Sequence, residues 1–310
     1  MLIEAPPVAI TDSLTMLGTT EYSLFLLKGP EKAVVFEGSI GPMGPLVLKQ
    51  LKQLGVPKEM VKEIVVSHAH PDHVMAIPFL RKQIPGLQVV ASAPAAKSMA
   101  LEESVAFFCE VDQAMSDALA KEGTIPSGYC QEPIPEKKIS VQHTIKEGDT
   151  ITAGAETSFT VLETPGHSAC SLCFHDTKDG VLLVADATGF YLPRQDFFWP
   201  DYFLGYGIYM TSLIRLRACN ATYLGLSHNG VIKGAEAVRS YLDLSIQRST
   251  DFHKRILREY KEIERVRPIA EKLGTEVYAH TQSMPLEFLQ KHCGLLVKNS
   301  LKHEGITPVS

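Results

Sequence analysis

The segment Ser67-His68-Ala69-His70-Pro71-Asp72-His73 constrains this chain more than any other part of it. Three His and one Asp fall within six residues, directly after a short apolar run at 63–67 (EIVVS). Imidazole nitrogen and carboxylate oxygen together suit zinc and other first-row divalent ions. Packed into a loop at a strand end, such side chains can converge on two adjacent points. The competing reading is a polar loop in which Asp72 or Ser67 caps a helix starting at Val74. Three further sites match the first. Thr164-Pro165-Gly166-His167-Ser168, Ala185-Asp186-Ala187 and Ser227-His228-Asn229-Gly230 each put a ligand-type residue after an apolar strand. That is where α/β scaffolds carry functional groups.

The pattern around these motifs alternates strand and helix. Residues 22–28 (YSLFLLK) and 33–37 (AVVFE) read as strands split by Gly29-Pro30. A helix is expected at 46–54, ending at Gly55, then the strand at 63–67, a helix at 74–84 and a strand at 87–91. Strands return at 158–163, 171–175, 181–185 and 221–227. This alternation implies an α/β class. Between the β regions, residues 95–122 read as one long helix. Leu101, Val105, Phe108, Val111, Met115 and Leu119 make its apolar stripe, and it is a candidate lid over a pocket. Residues 123–138 read as loop. After Lys233 the chain reads as helices at 235–265, about 268–273 and 285–301. The charged run 253–267 is an amphipathic helix with a solvated face, and not a nucleic-acid arm.

The series HAHPDH, TPGH, AD and SH resembles the metal-binding signature of the metallo-β-lactamase fold hydrolases, over residues 22–230. The resemblance implies an αββα sandwich at 1–232 with a helical insertion at 95–138, and a C-terminal helical extension at 233–310 packed on it. It implies two divalent metal ions per chain, zinc ahead of iron or manganese. His68, His70 and His167 would hold the first ion. Asp72, His73 and His228 would hold the second, and Asp186 would bridge both. His70 and His73 set the chain apart from the flavo-diiron oxidoreductase branch. Many members carry Asp-Thr-Gly after the early strand, where this chain has Glu37-Gly38-Ser39. Glu37 either supports the orientation of a ligand or is an edge-of-strand acid. Two ions would share a bridging hydroxide that attacks a carbonyl carbon, with Asp72 managing the proton of the leaving group.

Nine of the chain's 24 aromatic residues lie at 190–209, just after Asp186. With Pro193 and Pro200 in it, the segment reads largely as loop. It forms either an apolar pocket wall or a core or dimer contact. The insertion and C-terminal helices resemble the layout of glyoxalase II-like thioesterases and quinolone-signal response proteins. That layout implies a thioester or ester with an apolar, acyl-CoA-like acyl part. A lactonase, or a metal-binding regulatory protein with incidental hydrolysis, remains the alternative. A formal net charge of −5 and the lack of basic segments argue against a nuclease. The expected partner is a small molecule, with no nucleic acid and no membrane, and a homodimer is admitted. No apolar run approaches ~18 residues, and the amino terminus lacks a signal-peptide pattern. Six cysteines without framework spacing suggest reduced thiols in a cytoplasm. Cys170 and Cys173 have CxxC spacing but sit on a strand, so we expect core residues. Of 11 His, the six others (His143, His175, His253, His280, His292 and His303) are expected to have no special role.

Overall fold

The computed structural model describes residues 1–125, 134, 137–154, 157–281 and 284–308. The predicted loop at 123–138 therefore lies largely outside the described residues. Among the described residues the strands form two seven-stranded sheets and one hairpin. β1 (Leu2–Ile3) belongs to the second sheet. In the first sheet β2 (Val8–Ala9), β3 (Leu14–Gly18), β4 (Ser23–Lys28), β5 (Ala33–Phe36), β6 (Val61–Val65), β7 (Gln88–Ser92) and β8 (His143–Ile145) lie side by side in chain order. The second sheet runs β1, β16 (Val231–Lys233), β15 (Tyr223–Leu226), β12 (Val181–Ala185), β11 (Leu172–Asp176), β10 (Ser158–Glu163) and β9 (Thr150–Thr152). β13 (Phe190–Leu192) and β14 (Phe197–Trp199) make the hairpin.

The strands read as unbroken apolar runs because both faces of each sheet are covered. In β4, Phe25 and Leu27 face the core between the sheets, while Leu24 and Leu26 face the outer helices. In β12, Val181 and Leu183 face the inner core, and Leu182 and Val184 face outward. Side chains alternate across a strand, so a doubly covered strand must be apolar throughout. Outside the first sheet lie α1 (Met43–Gln53), α2 (Ile77–Gln83), α3 (Ala93–Met99) and α4 (Glu102–Lys121). Outside the second lie α5 (Tyr206–Ala218) and α6 (Ala235–Ile263). The result is the expected αββα sandwich. α7 (Val266–His280) and α8 (Leu286–His303) pack with α5, α6 and Trp199–Tyr202 in one further core.

Three expectations are corrected. The helix at 95–122 is two helices, broken at Ala100–Leu101, where the Ile139 amide takes the Met99 carbonyl and Leu101 is extended. Leu101 is exposed and does not belong to the stripe, of which Val105, Phe108, Met115 and Leu119 are buried and Val111 is half-buried. The segment 190–209 is a hairpin followed by the start of α5, not mainly loop. The second C-terminal helix continues past Leu273, because Gly274 is a packing glycine: a Cβ there would lie 2.6 Å from the Gln290 Cα on α8.

Candidate metal centre

Parallel pairing brings the motif residues to one edge of the sandwich. β5, β6 and β7 are parallel, so His68 leaves β6 at their carboxyl end. β12 and β15 are parallel as well, so Asp186 and His228 leave the second sheet together. Two backbone hydrogen bonds tie the sheets at this edge: Leu172 donates to Ser67, and Ser23 donates to Ser227. His167 follows β10 after Gly166, whose φ is +142°. A Cβ at Gly166 would lie 2.3 Å from the Tyr209 Cα, so only glycine lets α5 approach this loop.

All seven predicted residues meet there. His68, His70, His167 and Asp186 form one group of donors, and Asp72, His73, His228 and Asp186 a second, each with its ligand atoms within 4.8 Å of one another. In the first group His68 Nε2, His70 Nδ1 and His167 Nε2 stand 2.9 to 3.0 Å apart. Asp186 Oδ2 lies 3.2 Å from His73 Nε2, 3.5 Å from His167 Nε2 and 3.6 Å from His68 Nε2. Its Oδ1 lies 3.6 Å from His228 Nε2, and Asp72 Oδ2 lies 3.4 Å from the same nitrogen.

The outer ring nitrogens are anchored, which turns the inner ones toward the centre. His167 Nδ1 donates to the Asp201 carbonyl at 3.2 Å, and His228 Nδ1 to the Glu21 carbonyl at 2.7 Å. His73 Nδ1 meets Glu37 Oε2 at 2.9 Å, and His68 Nδ1 meets Ser67 Oγ at 3.1 Å. Outer hydrogen bonds of this kind fix the tautomer and aim of metal-binding imidazoles. Glu37, 5% exposed, thus takes the supporting position rather than that of a free edge acid. Capping does not explain the motif, because α2 begins after Ala76 with no side-chain cap.

Charge follows the same division. Burial, then the neighbouring imidazoles, hold His68 well below its usual range and bring His70 to about 3. Burial also lowers His167. The three rings are therefore neutral, each with one nitrogen lone pair to offer, and on His167 the Nδ1 bond to the Asp201 carbonyl leaves that lone pair on Nε2. Burial opposes ionisation of Asp72 and Asp186, but His73 and His228 outweigh it. Asp72 falls to about 2, and Asp186 goes well below the usual carboxylate range. Burial likewise opposes charge on His73 and His228, and Asp186 and Asp72 outweigh it. Neutral imidazoles converging beside buried carboxylates are a donor set for divalent cations.

His70, Asp72, His167, Asp186 and His228 of the centre line a cavity of about 330 Å³. Phe107, Val111, Met115 and Leu119 of α4 line one side, and Phe190, Leu192, Trp199 and Phe203 another. Met284, Phe288, Leu289 and His292 at α8 close it. The aromatic segment is divided: Phe190, Trp199 and Phe203 face the cavity, while Tyr202 and Tyr209 are fully buried in the core. Phe107 faces the cavity and Phe108 the core. Cys173 is a buried strand thiol as expected, whereas Cys170 lies in the turn before β11 and is only half-buried.

Sequence reasoning missed several participants. Glu21 and Asp201 act through backbone carbonyls, which no side-chain pattern reveals. His280 and His292 are expected from the sequence to have no special role, yet both line the cavity. His253 is 5% exposed, stacked on Tyr206 at 3.9 Å and bonded to Glu304. Each sits on a helix whose partners are distant in sequence, so spacing gave no signal.

The sequence profile of the Metallo-beta-lactamase superfamily matches residues 18–228. The chain belongs to that superfamily. A metallo-beta-lactamase family protein from Thermus thermophilus shares the fold with TM-score 0.65 and 19% identity, over 96% of this chain and 95% of that one. Metallo-beta-lactamase MIM-1 from Novosphingobium pentaromativorans does so with TM-score 0.57 and 22% identity, over 84% and 92%. In sequence, Ribonuclease J of Mycolicibacterium smegmatis is 41% identical over 59 residues, covering 19% of this chain and 11% of that protein. The uncharacterized protein YobT of Bacillus subtilis is 27% identical over 144 residues, covering 46% and 51%. The matched stretches thus span about half or less of these two relatives' lengths. No described helix is long and apolar enough to cross a membrane.

Proposed function

We propose that this chain is a hydrolase with a two-metal centre that opens the ester or thioester carbonyl of a small apolar acyl substrate. The observation carrying the reading is the pair of donor groups sharing Asp186 in the wall of a largely apolar cavity. His68, His70 and His167 would hold one divalent ion, Asp72, His73 and His228 the other, and Asp186 both; zinc suits this mixed nitrogen and oxygen set. Bound there, the ions would supply Lewis acidity and acidify water near neutral pH. The chain's own residues do the rest. Glu37, Ser67 and the Asp201 and Glu21 carbonyls hold the imidazoles in their orientations. The walls from α4, the hairpin and α8 bind the acyl part and exclude water. Asp72, at the cavity surface beside His228, is placed to hold a proton for the leaving group. The C-terminal helices from 233 act in this reading as an extension that completes the cavity.

A panel of acyl-CoA, simple ester, lactone and phosphodiester substrates tests the proposal on zinc-loaded protein. Turnover of esters or thioesters that Asp72→Ala abolishes is the expected result. A preference for phosphodiesters would overturn the reading, and so would Asp72→Ala activity within about twofold of the parent. Preferred opening of the lactone would move the assignment to a lactonase with the same machinery.

A further inference from the structure

The apolar part of the cavity contains an imidazole with an unused nitrogen. His292 Nδ1 donates to the Phe288 carbonyl, one helical turn earlier on α8, at 2.8 Å. The carbonyl only accepts, so the proton of the neutral ring is on Nδ1 and Nε2 carries a lone pair. Burial keeps the ring neutral by lowering its pKa. Nε2 has no hydrogen-bond partner among the described residues, is not a sealed-off orphan, and belongs to a residue lining the cavity. The ring is held by Phe288 at 4.1 Å and by Phe203 edge-on at 4.9 Å. Phe203 in turn lies 5.3 Å from His167. A fixed acceptor therefore stands two ring contacts away from the metal centre.

The charge of the walls adds a second constraint. Glu21 and Glu122 line the cavity beside Asp72 and Asp186, and no Lys or Arg does so among the described residues. The residues outside the described set contain no Lys or Arg either. Away from the cations that the hydrolase reading places at the His/Asp cluster, an anionic group on the ligand would find apolar surface and acids, and no Lys or Arg to offset its charge.

We propose that His292 is a specificity-determining residue whose Nε2 accepts a hydrogen bond from a hydroxyl or N–H of an uncharged, apolar substrate. The carbonyl end of that substrate faces the His/Asp cluster, and in this the proposal rests on the hydrolase reading. His292 orients the molecule and takes no part in bond breaking.

Trp199 lines the cavity and is the chain's only tryptophan, so its fluorescence reports binding without turnover. Zinc-loaded protein would be titrated with three ketones that hydrolysis cannot consume: octan-2-one, 8-hydroxyoctan-2-one and 7-oxooctane-1-sulfonate. The hydroxy ketone should bind about threefold to tenfold more tightly than octan-2-one, as one neutral hydrogen bond allows. The sulfonate should bind most weakly. His292→Phe, which keeps a ring and removes the acceptor, should erase the hydroxyl preference. His292→Gln, which keeps an acceptor, should retain part of it. Circular dichroism and metal content establish that both variants are folded and loaded. Equal binding of the two neutral ketones, a preference unchanged in His292→Phe, tightest binding of the sulfonate, or no response to any ketone would each overturn the proposal. Ester turnover is scored separately. Its absence, with His292-dependent ketone binding intact, would remove the hydrolase reading and leave His292's role. Turnover with a preference indifferent to His292 would remove this assignment alone.

Discussion

Replacing Glu37 with Leu, which removes the acceptor, should weaken one metal ion and spare the other. Glu37 Oε2 is 2.9 Å from His73 Nδ1, and Oε1 accepts from Ser227 Oγ at 3.2 Å. Both Glu37 and His73 are buried, so water cannot replace the lost contact. A hydrogen bond to a charged group contributes about 1.5–3 kcal/mol. Loss of such an outer partner typically costs 10–100-fold in metal affinity, which corresponds to about 1.4–2.8 kcal/mol. The two estimates agree. The loss should fall on the ion proposed at Asp72, His73 and His228, because Glu37 bonds none of the first three histidines. Zinc titration against a chromophoric chelator should show one step unchanged and one weakened by about 10–100-fold. Equal weakening of both steps, or no change in either, would refute the argument that Glu37 acts by holding His73.

Other perturbations test other parts of the account. Gly166→Ala forces a Cβ to 2.3 Å from the Tyr209 Cα at φ +142°, and should destabilise the protein by at least about 3 kcal/mol; a thermal midpoint near that of the parent would contradict it. Leu296→Ala empties a fully buried position in the C-terminal core and should cost about 2–5 kcal/mol in chemical denaturation, while a cost under about 1 would mean that α8 is loosely packed. Burial pushes the Cys173 and Cys293 thiols up to about 12, so thiolate is scarce in the folded state until pH nears that value. Mass spectrometry after iodoacetamide treatment at about pH 8 should find both unmodified in native protein and modified in denaturant; native labelling would show that these strands and helices open.

The candidate metal centre was legible because its donor residues are local in sequence or sit singly at strand ends. A strand directs the residue after it to the sheet edge, so His68, His167, Asp186 and His228 could be placed from strand boundaries alone. The layers were legible for a related reason: doubly covered strands must be apolar on both faces, as β4 and β12 are. What the sequence hid depends on contacts between distant segments. Gly274 looks like a helix stop until α8 is seen crossing it. The break at Ala100–Leu101 is stabilised by Ile139, which lies beyond the whole of α4. His292 resembled any surface histidine, because Phe203 and the cavity reach it only through the tertiary fold. Pro193 and Pro200 suggested loop, but Pro193 opens the turn of a hairpin, which Asp196 completes with φ +47°, and Pro200 follows its second strand.

The central claim is that two cations share Asp186. Elemental analysis of protein purified after metal-replete growth measures it directly, with native mass spectrometry on the parent and on Asp186→Ala. The account predicts two divalent ions per parent chain, and weakened binding at both positions in the variant, because Asp186 faces both donor groups. One ion or fewer per parent chain would contradict it.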